Sequence, residues 1–302
     1  MAAPFDLTND GVVVIIGSGA GGGTLGSELA QKGINVVILE AGARHEYEDF
    51  INDEWDSFAQ LAWIVKAVGG STTHWAGASL RFQEHEFRTL STYGKLKGAN
   101  LLDWPITLAE LEPYYAKAED KLGVTLTNNI PGLPGNNNFK VMKAGADKLG
   151  YKECHTGRMA INSEPRDNRN ACQQTGFCFQ GCKWGAKWST LYSEIPKGEA
   201  TGHLEVRPNA MAIKINHDGS GKVTGVVYAD KDGRLQEQKA RIVAVAGNSI
   251  ESPRLLLNSA SSQFPDGLAN SSGQVGKNYM RHTTGSVYGI FDKPVHMYRG
   301  TT

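Results

Sequence analysis

Three sets of residues have the types and spacing to do chemistry. The first is Gly17-Ser18-Gly19-Ala20-Gly21-Gly22, which follows the apolar run Val12 to Ile16 and precedes a second apolar run ending at Glu40. In such a turn Gly17 permits the tight bend, Gly19 lets backbone approach a pyrophosphate, and Gly22 lets helix and strand pack closely. The amides from Ala20 and Gly21 onward open a helix whose dipole favours negative charge. Glu40 lies 23 positions after Gly17, where an acid can accept ribose hydroxyls. Strand, turn, helix, second strand and terminal acid in that order point to dinucleotide binding, which a bare GxGxxG would not. The second set is Gly69-Gly70-Ser71-Thr72-Thr73-His74-Trp75-Ala76-Gly77. Its small residues let backbone lie flat against a planar ring, with Trp75 walling that ring from water. The third is Cys172, Cys178 and Cys182, spaced C-x5-C-x3-C among glycines. Clustered thiolates on loose spacers can wrap a soft metal centre, either a three-iron cluster or a four-iron cluster with one non-cysteine ligand. Zinc with Cys154 or His155 gets no support from the spacing, and free or disulfide-bonded thiols are the plain alternative.

The elements that must position these residues follow from pattern. Residues 11–42 read as strand, helix and strand, the helix spanning Gly22 to about Gly33. Thr107 with Glu110 reads as a capping box opening a helix to Leu122, and Phe139–Leu149 and Ile250–Asn258 read as shorter helices. Arg44–Leu61 reads as irregular or helical surface, and 154–188 shows little periodicity. From Leu204 to Val245 the pattern alternates, with turns at Gly219-Ser220-Gly221 and Asp230–Gly233, so a β-meander is inserted between parts of a nucleotide-binding sheet. Gly285–Thr302 reads as a new β-like segment. The chain's 302 residues suffice for one large or two ordinary domains. Its 31 acids balance 31 bases, which argues against a nucleic-acid partner. No apolar run is long enough to span a bilayer, and Met1–Asp10 shows no secretory signal.

Taken together, the glycine turn, Gly69–Gly77, Asp103-Trp104-Pro105-Ile106, Leu111–Tyr115, Gly247–Leu257 and Val275-Gly276-Lys277-Asn278 resemble, in family order, the glucose–methanol–choline (GMC) flavoprotein oxidoreductases. The resemblance implies an α/β fold: a Rossmann-like FAD-binding domain with an inserted β-meander and an incomplete substrate domain. Residues 1–302 then form the N-terminal FAD-binding part, with dinucleotide and flavin motifs in 11–80, the cysteine segment in 154–190, and the meander and return to the sheet in 204–260. FAD is the implied cofactor, with Gly17, Gly19, Ala20, Gly21, Gly22 and Glu40 on its ADP half and Gly70, Ser71, Thr73, His74, Trp75 and Gly77 near its ring. The adenine-contacting position most nearly matches Ala212. His74 has three readings: a structural histidine, a noncovalent flavin contact, or a covalent attachment point. The last arises because Thr72–Trp75 is similar to the Ser-Thr-His-Trp segment of pyranose oxidases, which carries a histidyl–flavin bond.

The cysteine trio resembles the three-cysteine segment in large subunits of bacterial cytochrome-linked sugar and polyol dehydrogenases of the same family, which hold a 3Fe-4S cluster. That implies a sugar or polyol substrate, a cytochrome c-type acceptor subunit, a small export or assembly subunit, and a place on the periplasmic side of a bacterial inner membrane through those partners. A cytoplasmic enzyme is the simple alternative. The family's catalytic histidine and its partner belong to a C-terminal part expected beyond residue 302, so no catalytic base is assigned, and His282 and His296 read as surface or structural residues. The connection from Glu40 to Gly69 is shorter than in typical members. Two competing functions stand beside the lead: a GMC alcohol oxidase or choline-type dehydrogenase without a cluster, and a flavin-binding but catalytically incomplete subunit.

Overall fold

The computed structural model describes residues 5–50, 64–281, 285–298 and 300. In chain order the main elements are β1 (Val13–Ile16), α1 (Ala20–Ala30), β2 (Val36–Leu39), α2 (Glu84–Phe87), α3 (Thr89–Tyr93), α4 (Leu108–Leu122), α5 (Asn137–Lys148), α6 (Glu194–Glu199), β3 (Leu204–Arg207), β4 (Met211–His217), β5 (Val223–Ala229), β6 (Leu235–Lys239), β7 (Ile242–Val245) and α7 (Asn248–Asn258). They fall into two compact units, Met1–His74 with Ser189–Arg281, and Trp75–Trp188 with His282–Thr302.

The first unit is built on a parallel sheet of order β3-β2-β1-β7. Every residue of β1 and β2 is buried, as expected for parallel strands covered on both faces. Alternation then sends side chains to opposite faces. Val14, Ile16, Val37 and Leu39 pack with Ala212, Ile215, Val226 and Tyr228 of the meander and Leu255 of α7. Val13, Ile15, Val36 and Ile38 pack with Ala30 of α1 and Leu204. The meander is the antiparallel sheet β4-β5-β6, and it lies in sequence between β3 and β7, as the alternating pattern predicts. Helix α1 begins at Ala20, two residues earlier than the pattern suggested, because the consecutive glycines Gly21 to Gly23 are themselves helical. It ends at Ala30, and Gly33 (φ +77°) returns its N–H to the Ala30 carbonyl at 2.9 Å. The connection therefore delivers the N-terminus of α1 to the carboxyl end of β1, where doubly wound sheets bind ligands.

In the second unit the capping box is present: Thr107 Oγ1 accepts from Glu110 N–H at 3.2 Å while Glu110 Oε2 accepts from Thr107 N–H at 2.8 Å. Asn136 caps α5, accepting from Phe139 N–H at 2.9 Å. Residues 154–188 are irregular, with isolated bridges such as Ile161–Lys187. The β-like reading of the final segment fails: residues 285–298 form no strand, and Val287, Tyr288 and Ile290 are fully or almost fully exposed. A β-prone sequence forms a strand only where a partner supplies its ladder, and among the described residues this segment's one bridge is Gly300 with Thr175. The part of the Arg44–Leu61 reading beyond Phe50, and His282, lie outside the described residues. Among the described residues no helix is long and apolar enough to cross a membrane.

Candidate functional site

The glycines of the first turn divide into two kinds. Gly17 has φ +96°, and a Cβ there would lie 2.6 Å from the Ala246 carbonyl oxygen. A Cβ on Gly22 would lie 1.9 Å from Gly17 O and 3.2 Å from Ala246 Cβ, so Gly22 is needed for the chain to pack on itself. Gly19 and Gly21 are different. A Cβ on Gly21 would meet nothing within 4 Å, and one on Gly19 would meet only Gly70 Cα at 3.9 Å. Open space therefore lies over the start of α1, where Gly19, Ala20 and Gly21 are exposed or half-buried. No side chain caps this helix and its first turn contains no acid, so its leading amides are left for an outside acceptor. That is the cradle an anionic diphosphate requires.

Gly70 closes one side of the cradle. It has φ +53°, and a Cβ on it would stand 2.9 Å from Gly19 Cα, so two glycine loops far apart in sequence meet backbone to backbone. Gly70–Thr73 forms a single 3-10 turn entered through Gly69 at φ +97°. Ser71 is exposed on it, whereas Thr73 is buried and its hydroxyl donates to Gly70 O at 2.8 Å. His74 ends the turn, half-buried, its ring 6.2 Å from that of Phe50 and edge-on to it.

Glu40 is buried, at 5 % exposure. Its Oε2 accepts from the Ser18 N–H at 3.0 Å and the Ser18 hydroxyl at 2.7 Å, and Oε1 accepts from the Gly42 N–H at 3.0 Å. Three of a carboxylate's roughly four acceptor positions are thus taken by the protein. The residue expected to face a ribose is also the clasp that holds the glycine turn to the end of β2. Ala212 places its side chain in the core between meander and sheet, so only its backbone remains for an adenine. The strand pairing is irregular beside it, between Ala212 and Lys214.

The hydroxyls beneath the turn were not singled out by sequence. Ser18, Ser189 and Thr190 are wholly buried and Thr72 nearly so. Thr190 Oγ1 donates to Ser18 O at 2.8 Å, Gly69 N–H donates to Ser18 Oγ at 2.9 Å, and Thr72 Oγ1 lies 2.8 Å from Ser189 Oγ. Ser18 occupies a variable position of the fingerprint, and Ser189-Thr190 lies over a hundred residues away, so no local pattern marks either.

The flavin-side segment continues into the second unit from Trp75. There the Trp75 indole N–H donates to Trp188 O at 2.9 Å, and the two rings meet edge to face at 6.2 Å. Gly77 has φ +85° and a Cβ on it would lie 2.9 Å from Ile161, so it too is a packing glycine. Cys172, Cys178 and Cys182 all pack on one apolar cluster formed by Leu133, Ile161 and Ala186. Backbone N–H groups of Gln174 and Lys187 point at Cys172 Sγ and Cys182 Sγ, at 3.3 and 3.4 Å. The Lys187 ammonium is wholly buried next to them, donating to Trp75 O at 2.6 Å and to Cys178 O. Burial pulls Lys187 down to about 8, against the opposing pull of the Cys178 and Cys182 sulfurs, and burial pushes the Cys172 thiol above its ordinary value. Among the described residues no group of three or more His, Cys, Asp or Glu could hold a metal ion, so the zinc arrangement with Cys154 or His155 has no ligand set. The cysteine trio likewise forms no such group among the described residues; its three side chains share one apolar cluster, and two of its sulfurs receive a backbone N–H.

Residues 15–284 match the GMC oxidoreductase family. The chain belongs to the GMC oxidoreductases. It is 30 % identical to the fructose dehydrogenase large subunit of Gluconobacter japonicus, covering 89 % of this chain and 58 % of that protein. It is 31 % identical to the paromamine 6'-oxidase of Streptomyces fradiae, covering 93 % and 56 % respectively. The chain thus spans a little over half the length of these relatives. Its fold is shared with pyridoxine 4-oxidase from Mesorbium loti, at a TM-score of 0.58 and 16 % identity over 83 % of this chain and 52 % of that one. Family membership supports FAD as the cofactor of the GMC chain, and the open space over Gly19 and Gly21 fits its diphosphate.

Proposed function

We propose that this GMC chain is the FAD-binding part of a dehydrogenase that oxidises an alcohol group of a sugar or polyol. In that reading Cys172, Cys178 and Cys182 would hold a 3Fe-4S cluster, which would supply a one-electron route from FAD to a cytochrome c-type acceptor subunit. The assembly sits on the periplasmic side of a bacterial inner membrane, held there by its partners. The observation that carries the reading is the uncapped, acid-free start of α1, open over Gly19 and Gly21 and flanked by Gly70.

When bound, FAD supplies a two-electron hydride acceptor and the cluster a one-electron carrier. The chain's own residues do the rest. The leading amides of α1 bind the diphosphate, and Glu40, held by Ser18 and Gly42, presents its remaining acceptor position to the ribose. Ser71 and His74 line the flavin side of the first unit, and Trp75 excludes water in the second. The three thiolates would hold the iron, and the Gln174 and Lys187 N–H groups donate to two of the sulfurs. The fructose dehydrogenase relative supports a sugar substrate and a multi-subunit complex.

The similarity to paromamine 6'-oxidase favours a second reading, an alcohol oxidase whose cysteines are incidental. Anaerobic purification followed by iron and sulfide assays, with a sugar and polyol panel scored by dye reduction and by oxygen uptake, decides between them. About three irons per chain and dye reduction without oxygen uptake support the dehydrogenase. Oxygen uptake from an iron-free protein overturns it.

A further inference from the structure

We propose that Ser18 and Thr190 form a buried hydroxyl latch that joins the two glycine loops and sets FAD affinity without touching the cofactor. The inference rests on FAD binding at the glycine turn but not on the cysteine cluster.

Four hydrogen bonds converge on Ser18, which is wholly buried. Its N–H and its hydroxyl both donate to Glu40 Oε2, its Oγ accepts from Gly69 N–H, and its carbonyl accepts from Thr190 Oγ1. One residue therefore ties the glycine turn to the end of β2 and to the loop that carries Gly70. Thr190 supplies the third strut. Its hydroxyl also lies 3.5 Å from Gly69 O, its N–H donates to Thr72 Oγ1 at 3.3 Å, and its side chain presses so closely on α1 that a Cβ on Gly23 would stand 2.7 Å from Thr190 Cβ. Gly23 is outside the fingerprint triplet, yet the latch requires it to be glycine.

The two loops that meet at Gly19 and Gly70 are short and rich in glycine, and Ser18 is the residue whose hydrogen bonds reach from one loop to the other. A glycine loop gains backbone freedom that must be lost again when a ligand fixes it. Residues that fix the loop beforehand remove that cost from binding, which is preorganisation. Ser18 and Thr190 direct their polar atoms at protein partners, so their contribution to FAD affinity is through the position of Gly19, Gly70 and Glu40. They are positioning residues.

The test is FAD binding by the full chain, with FAD per chain measured as purified and the dissociation constant measured on protein stripped of flavin. Thr190→Val keeps the shape and removes the hydroxyl, and Thr190→Ser restores it. The latch predicts that Thr190→Val weakens FAD binding about tenfold, the weight of one lost buried hydrogen bond, while Thr190→Ser stays near wild type. The flavin-free protein loses the same buried bond, so its thermal midpoint should fall by a few degrees in Thr190→Val; a purely structural role predicts that fall with the FAD dissociation constant of the folded protein unchanged. Thr190→Val binding within about twofold of wild type overturns the latch whatever its midpoint, as does Thr190→Ser behaving like Thr190→Val. If Thr190→Val does not fold, Ser18→Ala carries the same test. It leaves Thr190 its carbonyl acceptor, and FAD affinity equal to wild type in that variant also overturns the proposal. Iron content plays no part in this readout, so loss of the cluster reading leaves the result decisive.

Discussion

Exchanging the two kinds of glycine in the first turn should separate packing from ligand binding. In Gly22→Ala the new Cβ would begin 1.9 Å from Gly17 O, about 1.5 Å inside ordinary contact, with Ala246 Cβ at 3.2 Å behind it. The two nearest atoms, Gly17 O and Gly17 C, belong to backbone, which has no rotamer to yield. Overpacking of this kind costs about 1–3 kcal/mol, and a backbone-on-backbone clash belongs at the upper end. At about 3 kcal/mol the ratio of folded to unfolded protein falls more than a hundredfold. In Gly19→Ala the nearest protein atom would be 3.9 Å away, so the flavin-free protein should keep its stability within about 0.5 kcal/mol. In the proposed FAD complex the added methyl would instead meet the diphosphate. Pushing a charged acceptor off one leading amide costs about 1.5–3 kcal/mol, or roughly ten- to a hundredfold in FAD affinity. Urea unfolding of flavin-free protein and FAD titration, run on both variants, give the two numbers. The reasoning is refuted if Gly22→Ala unfolds at the wild-type midpoint, or if Gly19→Ala binds FAD as tightly as wild type.

Other consequences follow from neighbouring residues. Glu40→Ala removes the acceptor of three buried or half-buried donors on Ser18 and Gly42 and should destabilise the flavin-free protein by about 2 kcal/mol or more, read by urea unfolding. Arg81 forks onto Glu119 at 2.6 and 2.7 Å and holds its carboxyl below the usual range. A depressed folded value means that the pair's contribution is complete above Glu119's ordinary 4.5 and is lost as pH falls through the lowered value. Arg81→Met should therefore be less stable than wild type at neutral pH, with the gap closing in acid. An unchanging gap would sink that account. If His74 is the attachment point of the flavin, yellow colour should stay with the acid-precipitated pellet of wild type and leave the pellet of His74→Ala. Colour in both supernatants excludes the covalent reading and leaves a noncovalent contact or a structural histidine.

Much of the first unit was legible because its signals are local. The apolar runs of β1 and β2, the glycine turn and Glu40 lie within 30 residues, and the alternation of β4 to β6 is marked by turns between successive strands. The capping box at Thr107 and Glu110 is likewise a four-residue signal. What sequence could not give is long-range. Ser189-Thr190 joins the site only because the fold brings them under Ser18, and nothing in their spacing marks them. The opposite use of Gly19 and Gly22 is visible in the fingerprint, but the meeting of Gly19 with Gly70 is not. Glu40 shows the limit most clearly: an acid at the end of a second strand suggests a ribose, while the structure also gives it a structural clasp. Residues 285–298 fail to form a strand for the converse reason, since alternation states a readiness to pair and no described strand pairs with them, the segment's one described bridge being at Gly300.

The central claim, that the open turn over Gly19 and Gly21 is an FAD site, is tested most directly by the flavin content of the purified chain. Its visible spectrum, with the flavin released by denaturation or retained at His74 identified by mass, should give one FAD per chain. Colourless protein that takes up no FAD on reconstitution would contradict it.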